Sequence, residues 1–153
     1  MQLTEHFSLA ELSRSNTATR RGLDNTPPTW AVANLRLVAH ALEHVRSHYG
    51  LPVRVYSGYR SETVNNACGG SKTSAHKLGL AADFVVPGEP VIEVCRWVER
   101  NLTGFDQVIY EFGPGGWIHL GLGDDRRPIR QQSLTASKRG GKTVYQLGIL
   151  EVV

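Results

Sequence analysis

The stretch F-D-Q-V-I-Y-E-F-G-P-G-G-W-I-H-L-G-L, Phe105 to Leu122, holds two apolar runs of strand length separated by a glycine-rich loop. Phe105–Tyr110 and Trp117–Leu122 are rich in β-branched and aromatic residues, which suit a pleated, half-buried surface. Between them, Gly113-Pro-Gly-Gly116 supplies turn residues. A parallel pair needs a crossover of about a dozen residues or more, and this loop is far shorter, so the two strands must run antiparallel. Helical patterns precede and interrupt the strands. The order predicts an α+β fold with a small antiparallel sheet flanked by helices.

Working outward, Ser8-Leu-Ala-Glu11 has capping-box spacing and predicts a short helix. The polar stretch Ser13 to Asn25 reads as loop. Pro27-Pro28 then lead into a long helix from Thr29 to Tyr49, closed by Gly50 and Pro52. Leu35, Val38, Leu42, Val45 and Tyr49 recur at helical spacing and form its expected buried stripe. Val53–Ser57 alternates as a strand should. Ser61 is placed to cap a helix over Glu62–Ala67, ended by Gly69-Gly70. Ala81–Val86 predicts a strand, and Pro90–Asn101 a helix burying Val91, Val94, Cys95 and Val98. Val144–Val153 is expected to add a last strand. The 153 residues suit one domain, with a motif-bearing core over about 5–122 and a basic C-terminal segment over 123–153.

Composition excludes several classes. The chain is 41% hydrophobic and 20% charged, with no apolar run near the roughly 18 residues that span a bilayer. Its first residues, M-Q-L-T-E-H-F-S, have no basic then apolar signal pattern. The expectation is synthesis in the cytoplasm, with any action outside requiring another export route. Cys68 and Cys95 form no C-x-x-C pair and read as small buried apolar residues. Arg126, Arg127, Arg130, Lys138, Arg139 and Lys142 crowd the C-terminal segment of a chain whose net charge is only +3. No aromatics interleave them as a nucleic-acid platform would require, so a solvated face is expected, with attraction to an anionic polymer as the other reading.

Two histidine sets stand out. His40, His44 and His48 recur every four residues, but on a helix face away from the apolar stripe and without the H-E-x-x-H pattern. A solvated helix face is expected there. His76, Asp83 and His119 differ, because Asp83 and His119 sit inside strands with apolar neighbours on both sides. A lone carboxylate in such surroundings requires a partner or a metal. Two histidines and a carboxylate leave the fourth position of a tetrahedral zinc open, as in catalytic sites. An Asp83–His76 hydrogen bond with His119 satisfied in the core fits the same residues.

The surrounding pattern goes further. S-G-Y-R-S at Ser57–Ser61, S-x-H-x-x-G-x-A-x-D at Ser74–Asp83 and W-I-H at Trp117–His119 together resemble one family of zinc peptidases. That family includes the zinc D-Ala-D-Ala carboxypeptidases and the L-alanyl-D-glutamate endopeptidases of phage endolysins. The opening F-S-L-A-E-L and the F-D-Q-V-I-Y-E-F stretch are most similar to its compact, single-domain members. The resemblance implies a hedgehog/DD-peptidase-like form of the α+β fold and one zinc ion held by His76, Asp83 and His119. It also implies that Arg60 holds the substrate or polarises its scissile carbonyl. Ser74 is implied beside the first ligand, Trp117 in substrate contact, and Gly79 and Ala81 in close packing around the metal.

One position departs from the pattern. Many members carry Glu or Asp three residues before the last histidine, where this chain has Gly116. Glu111 is the nearest upstream carboxylate and becomes the expected general base, with Asp106 and Asp124 behind it and a surface strand-end carboxylate as its bland reading. The implied activity is hydrolysis of an amide bond in peptidoglycan stem peptides, on a cell wall reached by phage-type release. No nucleic acid, membrane or obligate protein partner is expected. The rival expectation is a catalytically weak, zinc-stabilised module that binds cell wall.

Overall fold

The computed structural model describes residues 1–126 and 128–152. Arg127 of the basic cluster and Val153 of the expected last strand lie outside the described residues. The helices are α1 (Leu9–Ser13), α2 (Asn16–Arg21), α3 (Thr29–Tyr49), α4 (Glu62–Ala67) and α5 (Val91–Asn101). The strands are β1 (Arg54–Ser57), β2 (Ala81–Val85), β3 (Phe105–Glu111), β4 (Trp117–Leu122), β5 (Gln132–Arg139) and β6 (Lys142–Leu147). They form one six-stranded sheet in the order β1-β2-β4-β3-β5-β6. The fold is α+β as expected. No helix among the described residues is long and apolar enough to cross a membrane.

Two compact units emerge, one of Met1–Gly50 with Val55–Ala82, the other of Leu51–Arg54 with Asp83 onward. The first is helical. Ser8 accepts from Glu11 N at 3.2 Å while the Glu11 carboxylate accepts from Ser8 N at 2.8 Å, completing the capping box of α1. Helix α3 buries Ala31, Leu35, Val38, Ala39, Leu42 and Val45, the expected stripe widened by two alanines, with Tyr49 only half-buried. Gly50 ends it at φ +63°, donating to Arg46 O at 2.8 Å, a left-handed cap that glycine adopts without a Cβ penalty. The expected loop over Ser13–Asn25 contains α2 instead. Ser15 caps its start and left-handed Gly22 its end, so capping chemistry nucleates a turn whose Asn and Thr residues have weak helix propensity.

In the second unit, α5 packs on β3 and β4, burying Val91, Val94, Cys95 and Val98 as its periodicity predicts. It covers the sheet face of Val108, Tyr110, Ile118 and Leu120, all fully buried. Burial, and then the neighbouring Cys95, raise the Tyr110 phenol above its ordinary pKa, in keeping with a ring pressed against α5. Strands β3 and β4 pair antiparallel, as their short loop requires.

The expected all-antiparallel sheet is corrected here: β3 also pairs in parallel with β5, and β5 pairs antiparallel with β6. The basic segment therefore supplies a hairpin to the sheet. Its last strand is Lys142–Leu147, starting and stopping earlier than Val144–Val153. The cysteines also divide: Cys95 is buried, with its thiol pKa pushed up by burial, whereas Cys68 is exposed and not the core residue expected.

Candidate metal centre

His76 is carried by a short 3-10 turn, Ala75–Leu78. Ser74 caps that turn, its hydroxyl oxygen accepting from His76 N at 3.2 Å. Gly79 closes it at φ +69°, where an added Cβ would lie 2.8 Å from the Ala31 carbonyl oxygen of α3. Only glycine satisfies both the backbone angle and that approach. His76 itself is 3% exposed.

Its ring orientation has a visible cause. His76 Nδ1 lies 2.7 Å from the Gly58 carbonyl oxygen. A carbonyl only accepts, so Nδ1 carries the proton and Nε2 keeps the lone pair that a metal takes. Gly58 occupies this place because a Cβ there would overlap the Leu12 carbonyl, to which Tyr59 N donates at 2.7 Å. The glycine of S-G-Y-R-S is thus a close-approach residue. Arg60 is tied to the same turn: its N–H donates to His76 O at 3.0 Å, and its Nε–H to Ser57 Oγ at 3.0 Å.

Asp83 sits in β2 and is 6% exposed. His119 Nδ1 approaches Asp83 Oδ1 at 2.9 Å, a charge-assisted contact of the kind that offsets burial of a carboxylate. Together His76, Asp83 and His119 offer ligand atoms that all lie within 4.8 Å of one another. Two such atoms on a tetrahedral zinc stand about 3.3 Å apart, so the Asp83–His119 pair would open by only a few tenths of an ångström. Two imidazoles and a carboxylate also match the borderline-soft character of that metal. Among the described residues this is the group that could hold an ion. His40, His44 and His48 are all exposed on α3, as a solvated face requires.

The chain belongs to the peptidase M15 family. The model of that family, described as Peptidase M15, matches residues 5–121. Among curated proteins, the zinc D-Ala-D-Ala carboxypeptidase of Streptomyces albus G is 29% identical over 124 residues, covering 79% of this chain and 47% of the relative. The chain thus spans about half the length of the relative that it matches.

In this M15 chain, Glu111 ends β3 opposite Trp117, and Ile109 lies opposite His119. Directly paired residues and residues two apart share a face. Glu111, Trp117 and His119 therefore project from the sheet face that α5 does not cover, and all three are half-buried. Asp106 is committed elsewhere: it is 5% exposed and takes Arg130 Nε and Nη2 at 2.9 and 2.8 Å, with Arg130 N at 3.1 Å. That fork raises the Arg130 pKa and leaves Asp106 a structural anchor. Asp124 accepts from Arg126 N at 2.8 Å in the loop after β4.

Gly116 explains its own identity. A Cβ there would overlap the Glu111 carbonyl oxygen, and Gly116 N donates to Gly113 O at 2.9 Å to close the loop. An acid at this position is incompatible with the turn this chain makes.

Sequence reading missed two participants. The Gly58 carbonyl is invisible in a side-chain inventory, although glycine inside S-G-Y-R-S was the available hint. Phe112, with φ +65°, is the other. Its position between Glu111 and Gly113 carries no signal that a bulky residue adopts the left-handed region.

Proposed function

We propose that the chain is a zinc-dependent peptidase that hydrolyses an amide bond in peptidoglycan stem peptides, of the D-Ala-D-Ala carboxypeptidase or L-Ala-D-Glu endopeptidase type. The observation that carries this reading is the convergence of His76, Asp83 and His119, in an M15 chain, on one point that a single zinc ion fits. When bound, zinc supplies a water of lowered pKa, near 7, and a Lewis acid for the scissile carbonyl.

The protein's own residues do the rest. His76 presents Nε2 because the Gly58 carbonyl holds the proton on Nδ1. Asp83 and His119, 2.9 Å apart at Oδ1 and Nδ1, would part slightly and supply the remaining donors. Glu111, on the His119 face, accepts a proton from the attacking water and later delivers it to the departing amine. Arg60, whose Nε is held by Ser57 and whose backbone is tied to the His76 turn, steadies a substrate oxygen or carboxylate with its guanidinium. Trp117 offers an apolar surface on the Glu111 face. The same reading has the protein act on the bacterial cell wall after phage-type release.

The deciding experiment is incubation of zinc-loaded protein with defined muropeptides, followed by mass spectrometry of the fragments. New amino termini at D-Ala or D-Glu are expected, and the fragment masses assign the bond. Wall binding without new termini would instead make the chain a zinc-stabilised cell-wall-binding module.

A further inference from the structure

The hairpin of β5 and β6 lies beyond the stretch matched by the family model, yet it extends the sheet face that carries Glu111 and His119. Register fixes this. Glu111 pairs with Ala136 of β5, and Ala136 pairs with Tyr145 of β6. Trp117, Glu111, Ala136 and Tyr145 thus form one row across four strands, all pointing the same way. Two residues along β5, Lys138 pairs with Thr143 on that face. Ala136 is fully buried between Glu111 and Tyr145.

The residues around Ala136 are unusual. Phe112, the residue after Glu111, holds φ +65° while its N–H keeps the ladder bond to Ala136 O at 3.0 Å. Bulky residues rarely adopt that region, and such strain gathers at functional sites. The consequence is a three-part stack. The Phe112 ring meets Trp117 edge-on at 5.4 Å, and the Lys138 ammonium lies 5.5 Å from the Phe112 ring centre. Thr143 Oγ1 accepts from Lys138 Nζ at 2.9 Å, fixing the long side chain in place. Tyr145 is 57% exposed, a large aromatic surface left open to solvent beside Ala136.

We propose that Lys138, Phe112, Trp117 and Tyr145 form a substrate subsite for a free carboxylate of the stem peptide, that of its internal D-glutamate residue. The ammonium pairs with the carboxylate, while Phe112, Trp117 and Tyr145 flank the adjoining apolar atoms. The subsite would make the enzyme distinguish stem peptides with D-glutamate from those with D-isoglutamine, in which that carboxylate is an uncharged amide. The Tyr145 phenol pKa is raised, by burial first and then by the Glu111 charge, which agrees with its place across Ala136 from Glu111. This inference rests on the peptidase reading for its ligand, though the recognition it describes is a binding step.

The test compares two synthetic stem pentapeptides, identical except for D-glutamate or D-isoglutamine, offered to the zinc-loaded chain. Calorimetry gives dissociation constants and fragment analysis gives KM and kcat. The D-glutamate peptide is expected to bind about ten-fold more tightly, as one partly exposed charge-assisted contact allows. In Lys138→Met the two peptides should bind alike, and Lys138→Arg should restore most of the preference. Tyr145→Ala should weaken both peptides together. Equal binding of the two by the unaltered chain, or a preference that survives Lys138→Met, overturns the subsite. Preferential binding lost in Lys138→Met but with neither peptide cut would uphold the subsite and sink the peptidase reading. Cutting of both peptides with no preference would do the reverse.

Discussion

Glu111 and His119 project from the same face of the β3–β4 ladder and stand diagonal to each other, since Glu111 pairs with Trp117 and His119 lies two residues further along β4. Diagonal partners in an antiparallel pair are about 7–8 Å apart at the backbone. A glutamate and an imidazole thus share one side of the ladder. The proposed reaction gives Glu111 the role of general base. Glu111→Gln keeps the shape and removes the base. Turnover is expected to fall about 10²–10⁴-fold while the protein still binds one zinc by metal analysis. Near-normal turnover in a zinc-replete Glu111→Gln protein would place the base elsewhere.

Gly116 occupies the position where the family pattern has an acid, and putting one back tests whether the role has moved. Gly116→Asp introduces a Cβ into the space of the Glu111 carbonyl and disturbs the Gly116–Gly113 turn. The expected result is loss of stability by about 2 kcal/mol or more, as for overpacking against backbone, with no gain in activity. Denaturant unfolding and peptide hydrolysis, measured on the same preparation, check both halves. A stable variant with raised activity would show that the loop tolerates the acid and that an acid at 116 can serve the reaction.

The fold was legible wherever a local signal set the structure. Ser8 with Glu11, Ser61 before α4 and Gly50 after α3 marked helix ends through capping chemistry, and the short Gly113–Gly116 loop dictated an antiparallel pair. Strand β5 was not legible, because its inward run Leu134, Thr135 and Ala136 is buried without alternation, and flanking Lys and Arg residues make the segment look solvated. Its parallel pairing with β3 is also non-local, made across the whole β4 hairpin. The same holds at the site. His76, Asp83 and His119 are side chains whose burial demands a partner, so their types and surroundings announce them. Gly58 acts through a carbonyl and Lys138 through a long-range register, and neither contribution is encoded nearby.

The Gly58 carbonyl that orients His76 yields a prediction specific to backbone. Gly58→Ala forces a Cβ against the Leu12 carbonyl, shifting the oxygen that accepts from His76 Nδ1 at 2.7 Å. Loss of such an outer partner typically weakens metal binding by about 10–100-fold. Zinc affinity, measured by competition with a chelating dye, should drop by that factor. His119→Ala should abolish stoichiometric zinc altogether. Unchanged affinity in Gly58→Ala would mean that the ring is held by other contacts.

The triad His40, His44 and His48 offers a control on the helix. All three are exposed, and two histidines four apart on a helix face can chelate metal. Replacing the three with alanine should leave one zinc per chain and full peptidase activity, with less retention on immobilised nickel. Loss of activity would revive the helical site as a participant.

Stability should depend on pH through the pair of His6 and Glu43. His6 bonds Glu43 of α3 twice, through its N–H to Oε1 at 2.7 Å and its Nδ1 to Oε2 at 2.8 Å. Burial works to raise the Glu43 pKa, but the bonds from His6 outweigh it and hold the carboxyl below its ordinary value of 4.5. A folded-state pKa below the unfolded one means that the unfolded chain binds protons more readily. The stabilisation is therefore complete above about pH 4.5 and disappears as pH falls through the lowered folded value. Glu43→Gln removes the charge at every pH. The variant should be less stable than the parent by about 1 kcal/mol at pH 6, and the gap should close below about pH 4. Urea unfolding at a series of pH values reads this directly, and a gap that stays constant down to pH 3 would show that the charge of Glu43 contributes nothing.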